Sequence, residues 1–196
     1  MATTEYNPNL FREDDMKWTA MTILAFGSLI ATNALRQETT KEINPVPVKL
    51  MPPEGHVMLF KAMAEGTQIY VCKAMADDPD RLEWVLKAPD ADLFDERGRR
   101  IGRHFAGPTW EALEDGSKVI GTQIEKISAP KGGDIPWLLL KRKSGAGKGR
   151  FSRVTYIQRV DTEGGIAPPR TCDKARQGQE VRVKYKATYV FYGVKE

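Results

Sequence analysis

The clearest pattern along the chain is an alternation of apolar and polar residues near its C-terminal end, over residues 181–192. Apolar residues occupy the odd positions from Val181 to Phe191, and three basic residues alternate with the first of them. A period of two places successive side chains on opposite faces of a strand. This segment is therefore predicted to be a β-strand with one face in the core.

Segments of the same kind lie upstream. Leu82, Trp84 and Leu86 share one face of residues 82–88, and residues 68–72 are rich in strand-forming residues. Further strands are predicted over residues 101–105, 118–127, 137–141 and 153–160, with glycine-containing turn signals between them. About seven short strands without a long amphipathic helix indicate an all-β fold in a single domain. The arrangement expected is an antiparallel β-sandwich or a partly open β-barrel.

Two segments interrupt this pattern. Residues 35–56 contain Asn44-Pro-Val-Pro47 and Met51-Pro-Pro53, and proline hinders both helix formation and strand pairing. We therefore expect residues 35–56 to be an extended, proline-rich lead-in and residues 57–196 to be the β-sandwich domain. Residues 144–150 are expected to form a flexible basic loop because glycine and basic residues dominate them.

The longest apolar run, Trp18 to Ala34, follows Lys17 and ends in small residues. This order is typical of a secretory signal peptide. An uncleaved anchor and a buried core helix are the alternatives, although polar residues and Gly27 interrupt the run. Residues 1–34 are thus predicted to be a signal peptide, with Met16 as a possible true start, and the product to be secreted or periplasmic with no membrane span after cleavage.

Composition supports one globular domain: the chain has 196 residues, of which 41% are apolar and 29% charged. These values are not those of disordered, collagen-like or polytopic membrane proteins. Loss of residues 1–34 would remove two basic and four acidic residues and raise the net charge from +4 to +6. A moderately basic surface could attract polyanions, but a solvated surface is the favoured explanation of the charge. Nucleic acid is therefore not the expected partner, and the oligomeric state is not predicted.

Cys72 and Cys172 are the only cysteines. An exported chain with two cysteines favours a disulfide, and two free buried thiols are the alternative. The chain has no CxxC motif and no cluster of cysteine with histidine, so no metal site is expected. It also has no glycine motif of a nucleotide-binding fold, so no cofactor is expected.

The candidate chemistry is concentrated around His104. This histidine lies in Gly102-Arg-His-Phe-Ala-Gly-Pro-Thr-Trp110, with Glu111 and Asp115 close behind. A histidine with an acid and a hydroxyl could act in acyl transfer, but no GxSxG motif positions a serine here. Trp110 is expected to lie in a loop and to face a ligand, beside Arg103.

Several ordered segments carry a resemblance to a known family: Gly66-Thr-Gln-Ile-Tyr-Val-Cys72, Gly107-Pro-Thr-Trp110, Ile135-Pro-Trp-Leu-Leu139 and Tyr185-Lys-Ala-Thr-Tyr-Val-Phe-Tyr192. With both cysteines, they resemble the domain of unknown function family 3455, which comprises secreted bacterial and fungal proteins. The resemblance covers the chain from about Val57 to Tyr192. It implies a secreted β-rich domain in which the two cysteines recur, and it implies no particular activity.

Three hypotheses about function follow. The first is a secreted β-sandwich protein that binds a small molecule, a glycan or an envelope component without catalysis, through His104, Trp110, Arg103 and Asp115. The second is a small hydrolase that uses His104 with Asp115 or Glu111. The third is a structural envelope protein with no specific site.

Overall fold

The structure is a computed structural model that describes residues 45–196. The predicted signal peptide and the first part of the lead-in lie outside the described residues. Eight strands follow a short 3-10 turn, Val48–Leu50, and a second turn, Lys174–Arg176, precedes the last strand. The strands are β1 His56–Ala74, β2 Leu82–Phe94, β3 Arg100–Phe105, β4 Thr109–Ala112, β5 Lys118–Ile127, β6 Trp137–Ala146, β7 Tyr156–Gly164 and β8 Glu180–Val194. Within this part of the chain, no helix has the length and apolar character needed to cross a membrane.

The eight strands form one antiparallel sheet. Each strand pairs with the next one in the chain, and β8 pairs with β1, so the sheet closes into a ring. The longest pairing is the closing one, which runs from His56 opposite Val194 to Val71 opposite Glu180. The predicted all-β, antiparallel, single-domain fold is confirmed.

The main core lies inside the ring. Because side chains alternate along a strand, every second residue points inward. The inward residues of β1 and β8 include Ala62, Ala64, Ala187 and Phe191, which pack with apolar residues of the other strands and with Phe151. This packing fills one part of the interior.

A second apolar cluster covers part of the outer face of the sheet. Trp137, Leu139, Val160 and Val190 pack there beneath Leu50, which has no exposed surface. The burial of Leu50 explains why the lead-in, expected to be extended, folds into a 3-10 turn at this point. Leu50 N donates a hydrogen bond to the carbonyl oxygen of Pro47 within this turn.

Several strands differ in extent from the sequence prediction: β1 and β2 are longer than the predicted 68–72 and 82–88, and β7 is shifted from 153–160. Two further differences concern segments that were expected to be loops. Trp110 was expected in a loop but lies in β4, a four-residue strand between β3 and β5. Residues 144–146, expected to be part of a flexible loop, extend β6, because Ala146 pairs with Lys118 of β5. In both cases a neighbouring strand supplies hydrogen bonds that the local sequence does not reveal.

The predicted disulfide is present. Cys72 in β1 is bonded to Cys172 in the β7–β8 connection, with Cα atoms 5.5 Å apart. The backbone around Cys72 holds the same connection, since its N–H donates to Gln179 and its carbonyl accepts from Gly178. The connection that leads into the last strand is thereby fixed to the first strand.

Candidate functional site

Part of the ring interior is a cavity rather than packed core. Its volume is about 380 Å³, within the range of small-molecule sites. An eight-stranded closed sheet has an interior that side chains can fill or that can hold one small ligand. The lining comes from all eight strands, and its principal residues are Gln68, Tyr70, Pro89, His104, Trp110, Arg159 and Tyr189.

Three aromatic rings form one wall of this cavity. His104 in β3 is directly opposite Trp110 in β4, and their rings stack with centroids 4.3 Å apart and planes 9° from parallel. The ring of Tyr189 in β8 meets both edge-on, at 5.0 Å from His104 and 5.2 Å from Trp110. Strand pairing thus places the histidine and the tryptophan on the same inward face.

His104 is neutral at physiological pH. It is only 3% exposed, and burial lowers its pKa to about 3, although its hydrogen bond opposes the shift and the charge of Arg159 adds to it. Nδ1 lies 2.9 Å from the carbonyl oxygen of Thr109. Because a carbonyl only accepts, Nδ1 carries the proton and Nε2 is left as an acceptor.

Three cavity residues carry a buried polar atom with no hydrogen-bond partner among the described residues: Gln68 Oε1, Trp110 Nε1 and Tyr189 Oη. Burial also raises the pKa of Tyr189, against the opposing charge of Arg159. A buried polar atom without a partner costs about 1–3 kcal/mol. Water or a ligand in the cavity would supply the missing partners. Together with His104 Nε2, the cavity therefore offers two acceptors, one donor and one hydroxyl that can do both.

The charged residues that line the cavity are all basic. Within residues 45–196, the lining contains Lys87, Lys126 and Arg159 but no aspartate or glutamate. Lys87 forms an ion pair with Glu180. Arg159 in β7 donates through Nε and Nη2 to one carbonyl, that of Pro136, at 3.1 and 2.8 Å. The charges in the lining that no carboxylate of residues 45–196 pairs with are therefore Lys126 and the Arg159 guanidinium.

Of the four binding residues predicted from sequence, His104 and Trp110 line this cavity. Arg103 does not, because it neighbours His104 in β3 and its side chain therefore lies on the opposite face. It pairs there with Glu111, at 2.9 Å from Nη2 to Oε2, and Glu111 also pairs with Lys118. These hydrogen bonds lower the pKa of Glu111.

Asp115 lies in the exposed turn between β4 and β5. Its carboxylate accepts hydrogen bonds from the backbone N–H groups of Ser117 and Arg150, at 2.8 and 2.9 Å. Hydrogen bonds from Ser117 and Arg150 lower its pKa. Neither Asp115 nor Glu111 hydrogen-bonds to His104, whose Nδ1 is bonded to Thr109.

The local motif around His104 did not identify Gln68, Tyr70, Arg159 and Tyr189 as site residues. One sequence signal does point to Arg159. It lies two residues after Ile157, so a strand places this arginine on the same face as a core residue. A basic residue on an apolar face indicates either an ion pair or a cavity.

Comparison with known proteins gives one match. The sequence model of a family described as "Protein of unknown function (DUF3455)" matches residues 52–193. The chain belongs to the DUF3455 family. Every cavity residue named above lies in the DUF3455 segment, as does the disulfide. No curated protein and no solved structure matches the chain.

Proposed function

We propose that this DUF3455 protein is a secreted β protein that binds a small molecule inside its ring and does not catalyse a reaction on it. The observation that carries the proposal is the cavity itself, whose lining residues carry three of the six buried side-chain polar atoms that have no partner within residues 45–196. Packed cores leave few such atoms, and each costs stability unless something binds it. A ligand with a ring and a few polar atoms would meet both the aromatic wall and these atoms.

Binding fits the geometry around His104 better than hydrolysis does. In a hydrolytic triad a carboxylate orients the histidine, and the histidine contacts a nucleophilic hydroxyl. Here a backbone carbonyl orients the ring, and the nearby acids Glu111 and Asp115 have other partners. Ser117 Oγ accepts a hydrogen bond from Phe151 N, at 3.1 Å. His104 is therefore proposed to contribute its Nε2 and its ring face to binding.

Two features support secretion. The run from Trp18 to Ala34 has the order of a signal peptide. The bond between Cys72 and Cys172 is of a kind that persists in oxidising compartments and is rare in the reducing cytosol. Both point to the periplasm or the outside of the cell as the place of action.

The proposal is tested by binding of N-phenyl-1-naphthylamine, a neutral probe whose fluorescence rises in apolar surroundings. We expect saturable binding of one probe to the wild-type protein. Pro89 faces the interior, because it lies opposite Gln68 in the pairing of β1 with β2. Pro89→Phe therefore adds a ring to the cavity and should abolish the signal, whereas Ala146→Phe, at an exposed position of β6, should not. Absence of binding to the wild-type protein, or equal binding to the Pro89→Phe variant, would favour the purely structural envelope protein.

A further inference from the structure

We infer that the ligand of the ring cavity is a small organic monoanion, a carboxylate on an apolar or aromatic body, and that Arg159 holds its charged group. This inference rests on the proposed function, since it names the chemical class of the small molecule. It is argued from the hydrogen bonds of Arg159, from the charges around the cavity and from the apolar lining.

Arg159 differs from most arginines of the described chain in its partners. Arg99, Arg103 and Arg182, like most others, each pair with a carboxylate. Arg159 is half-buried, and within residues 45–196 its guanidinium donates hydrogen bonds to the carbonyl oxygen of Pro136 and lies close to the Tyr189 hydroxyl, but it pairs with no carboxylate. A guanidinium has five N–H donors and binds carboxylates in a forked geometry. One carbonyl leaves most of this capacity unused, at the wall of a cavity.

The surrounding charges favour an anion. Lys126 is exposed where it lines the cavity and forms no ion pair with any residue that the structure describes. His104 is neutral and therefore adds no charge, while Trp110 Nε1 and the hydroxyl of Tyr189 are free to donate. A cation entering this cavity would be repelled by Arg159 and Lys126, and the lining contains no carboxylate with which it could pair.

The lining also limits the charge and size of the ligand. Ile135, Leu138, Leu140 and three prolines contribute apolar surface, so the body of the ligand should be apolar. Each charge that leaves water carries a desolvation cost. Lys126 is exposed, so water screens its charge, and the half-buried guanidinium of Arg159 alone offsets a single negative charge better than a double one. A monoanionic carboxylate thus fits better than a phosphate dianion, and a volume of about 380 Å³ suits a small molecule with one or two rings.

The experiment compares three probes that share a phenyl ring and differ in their polar group: benzoate, benzyl alcohol and phenyl phosphate. Binding is measured by ligand-observed NMR titration at neutral pH. We expect benzoate to bind at least about tenfold more tightly than benzyl alcohol, as a charge-assisted hydrogen bond implies. Arg159→Gln should weaken benzoate at least about tenfold and leave benzyl alcohol nearly unchanged. The matched control is Arg142→Gln, because Arg142 is also half-buried and also donates to backbone carbonyls, but does not line the cavity.

The outcomes separate this inference from the proposed function. Equal affinity for benzoate and benzyl alcohol, tighter binding of phenyl phosphate, or an Arg159→Gln variant that keeps full benzoate affinity would overturn the anion inference. If N-phenyl-1-naphthylamine binds in the cavity and benzoate does not, the anion inference fails while the proposed function stands. If Arg159→Gln does not fold, the benzoate to benzyl alcohol ratio of the wild-type protein decides, and Lys126→Gln at an exposed position provides the second variant.

Discussion

Replacing His104 with asparagine should make the protein less sensitive to mild acid. Burial lowers the pKa of His104 to about 3 in the folded protein, against 6.5 as its ordinary value. The unfolded chain therefore takes up a proton near pH 6.5, while the folded protein does not until the pH approaches 3. Since one pH unit corresponds to about 1.4 kcal/mol for one proton, the free energy of unfolding should fall by about 2 kcal/mol by about pH 5.

The sign and the pH window distinguish this effect from that of the carboxylates. A depressed pKa means that stability is present above pH 6.5 and is lost as the pH falls toward 3. Asp95, Glu111 and Asp115 also have lowered pKa values, from ordinary values of 3.8, 4.5 and 3.8, so their stabilising effect is lost only in stronger acid. The interval between about pH 7.5 and about pH 5 thus isolates the histidine.

Urea unfolding at several pH values measures this difference. His56 is replaced with glutamine in both proteins, so that His104 is the only histidine of the reference protein. Asparagine keeps an N–H donor for the carbonyl of Thr109 and cannot take up a proton. The reference protein should lose about 2 kcal/mol more than the His104→Asn variant across this interval. An equal loss in both proteins would show that His104 accepts a proton in the folded state, and that the cavity wall is more polar than its burial indicates.

Two further predictions concern the framework of the cavity. Leu50→Ala should lower the free energy of unfolding by about 2–5 kcal/mol, because Leu50 is fully buried on the outer cluster, whereas Val48→Ala, at a position 87% exposed, should change it by less than about 0.5 kcal/mol. Urea midpoints that shift equally would show that the lead-in does not pack on the sheet. Gly66→Ala should destabilise by about 2 kcal/mol or more, since a Cβ there would lie 2.2 Å from the carbonyl oxygen of Asp90, while Gly132→Ala meets nothing within 4 Å. A Gly66→Ala variant as stable as the Gly132→Ala variant would contradict the close approach of β1 and β2.

Periodicity predicted the strands whose two faces differ. Residues 118–127 were predicted as a strand and form β5 with those bounds, and the alternation over residues 181–192 lies within β8. Periodicity failed to predict β4, because four residues are too few to show a period and because Gly107-Pro108 suggested a loop. It also underestimated β6, because Ser144, Gly145 and Ala146 have low strand propensity and are held by pairing with β5. These errors arise where a neighbouring strand determines the structure.

The same distinction applies to the site. His104 and Trp110 could be identified locally, since they flank one tight turn and face each other across it. Arg103 and Asp115 were grouped with them by proximity in sequence. However, adjacent strand residues such as Arg103 and His104 point to opposite faces, and the carboxylate of Asp115 accepts a hydrogen bond from the backbone of its own turn. Proximity along the chain is therefore a poor guide to a site that is built inside a closed sheet.

The cavity residues that the motif did not identify are brought together by ring closure. Gln68 in β1 and Arg159 in β7 are distant in sequence, and β8 lies between their strands and pairs with both. Each occupies an inward position in a strand whose other inward residues include core residues such as Ala64 and Ile157. Sequences shaped by packing alone place apolar residues at such positions, because polar groups without partners cost stability. The change from apolar to polar residues along the inward faces of β1 and β7 therefore marks where the packed core gives way to a cavity, and the unpartnered Oε1 of Gln68 supports the proposal that a ligand binds there.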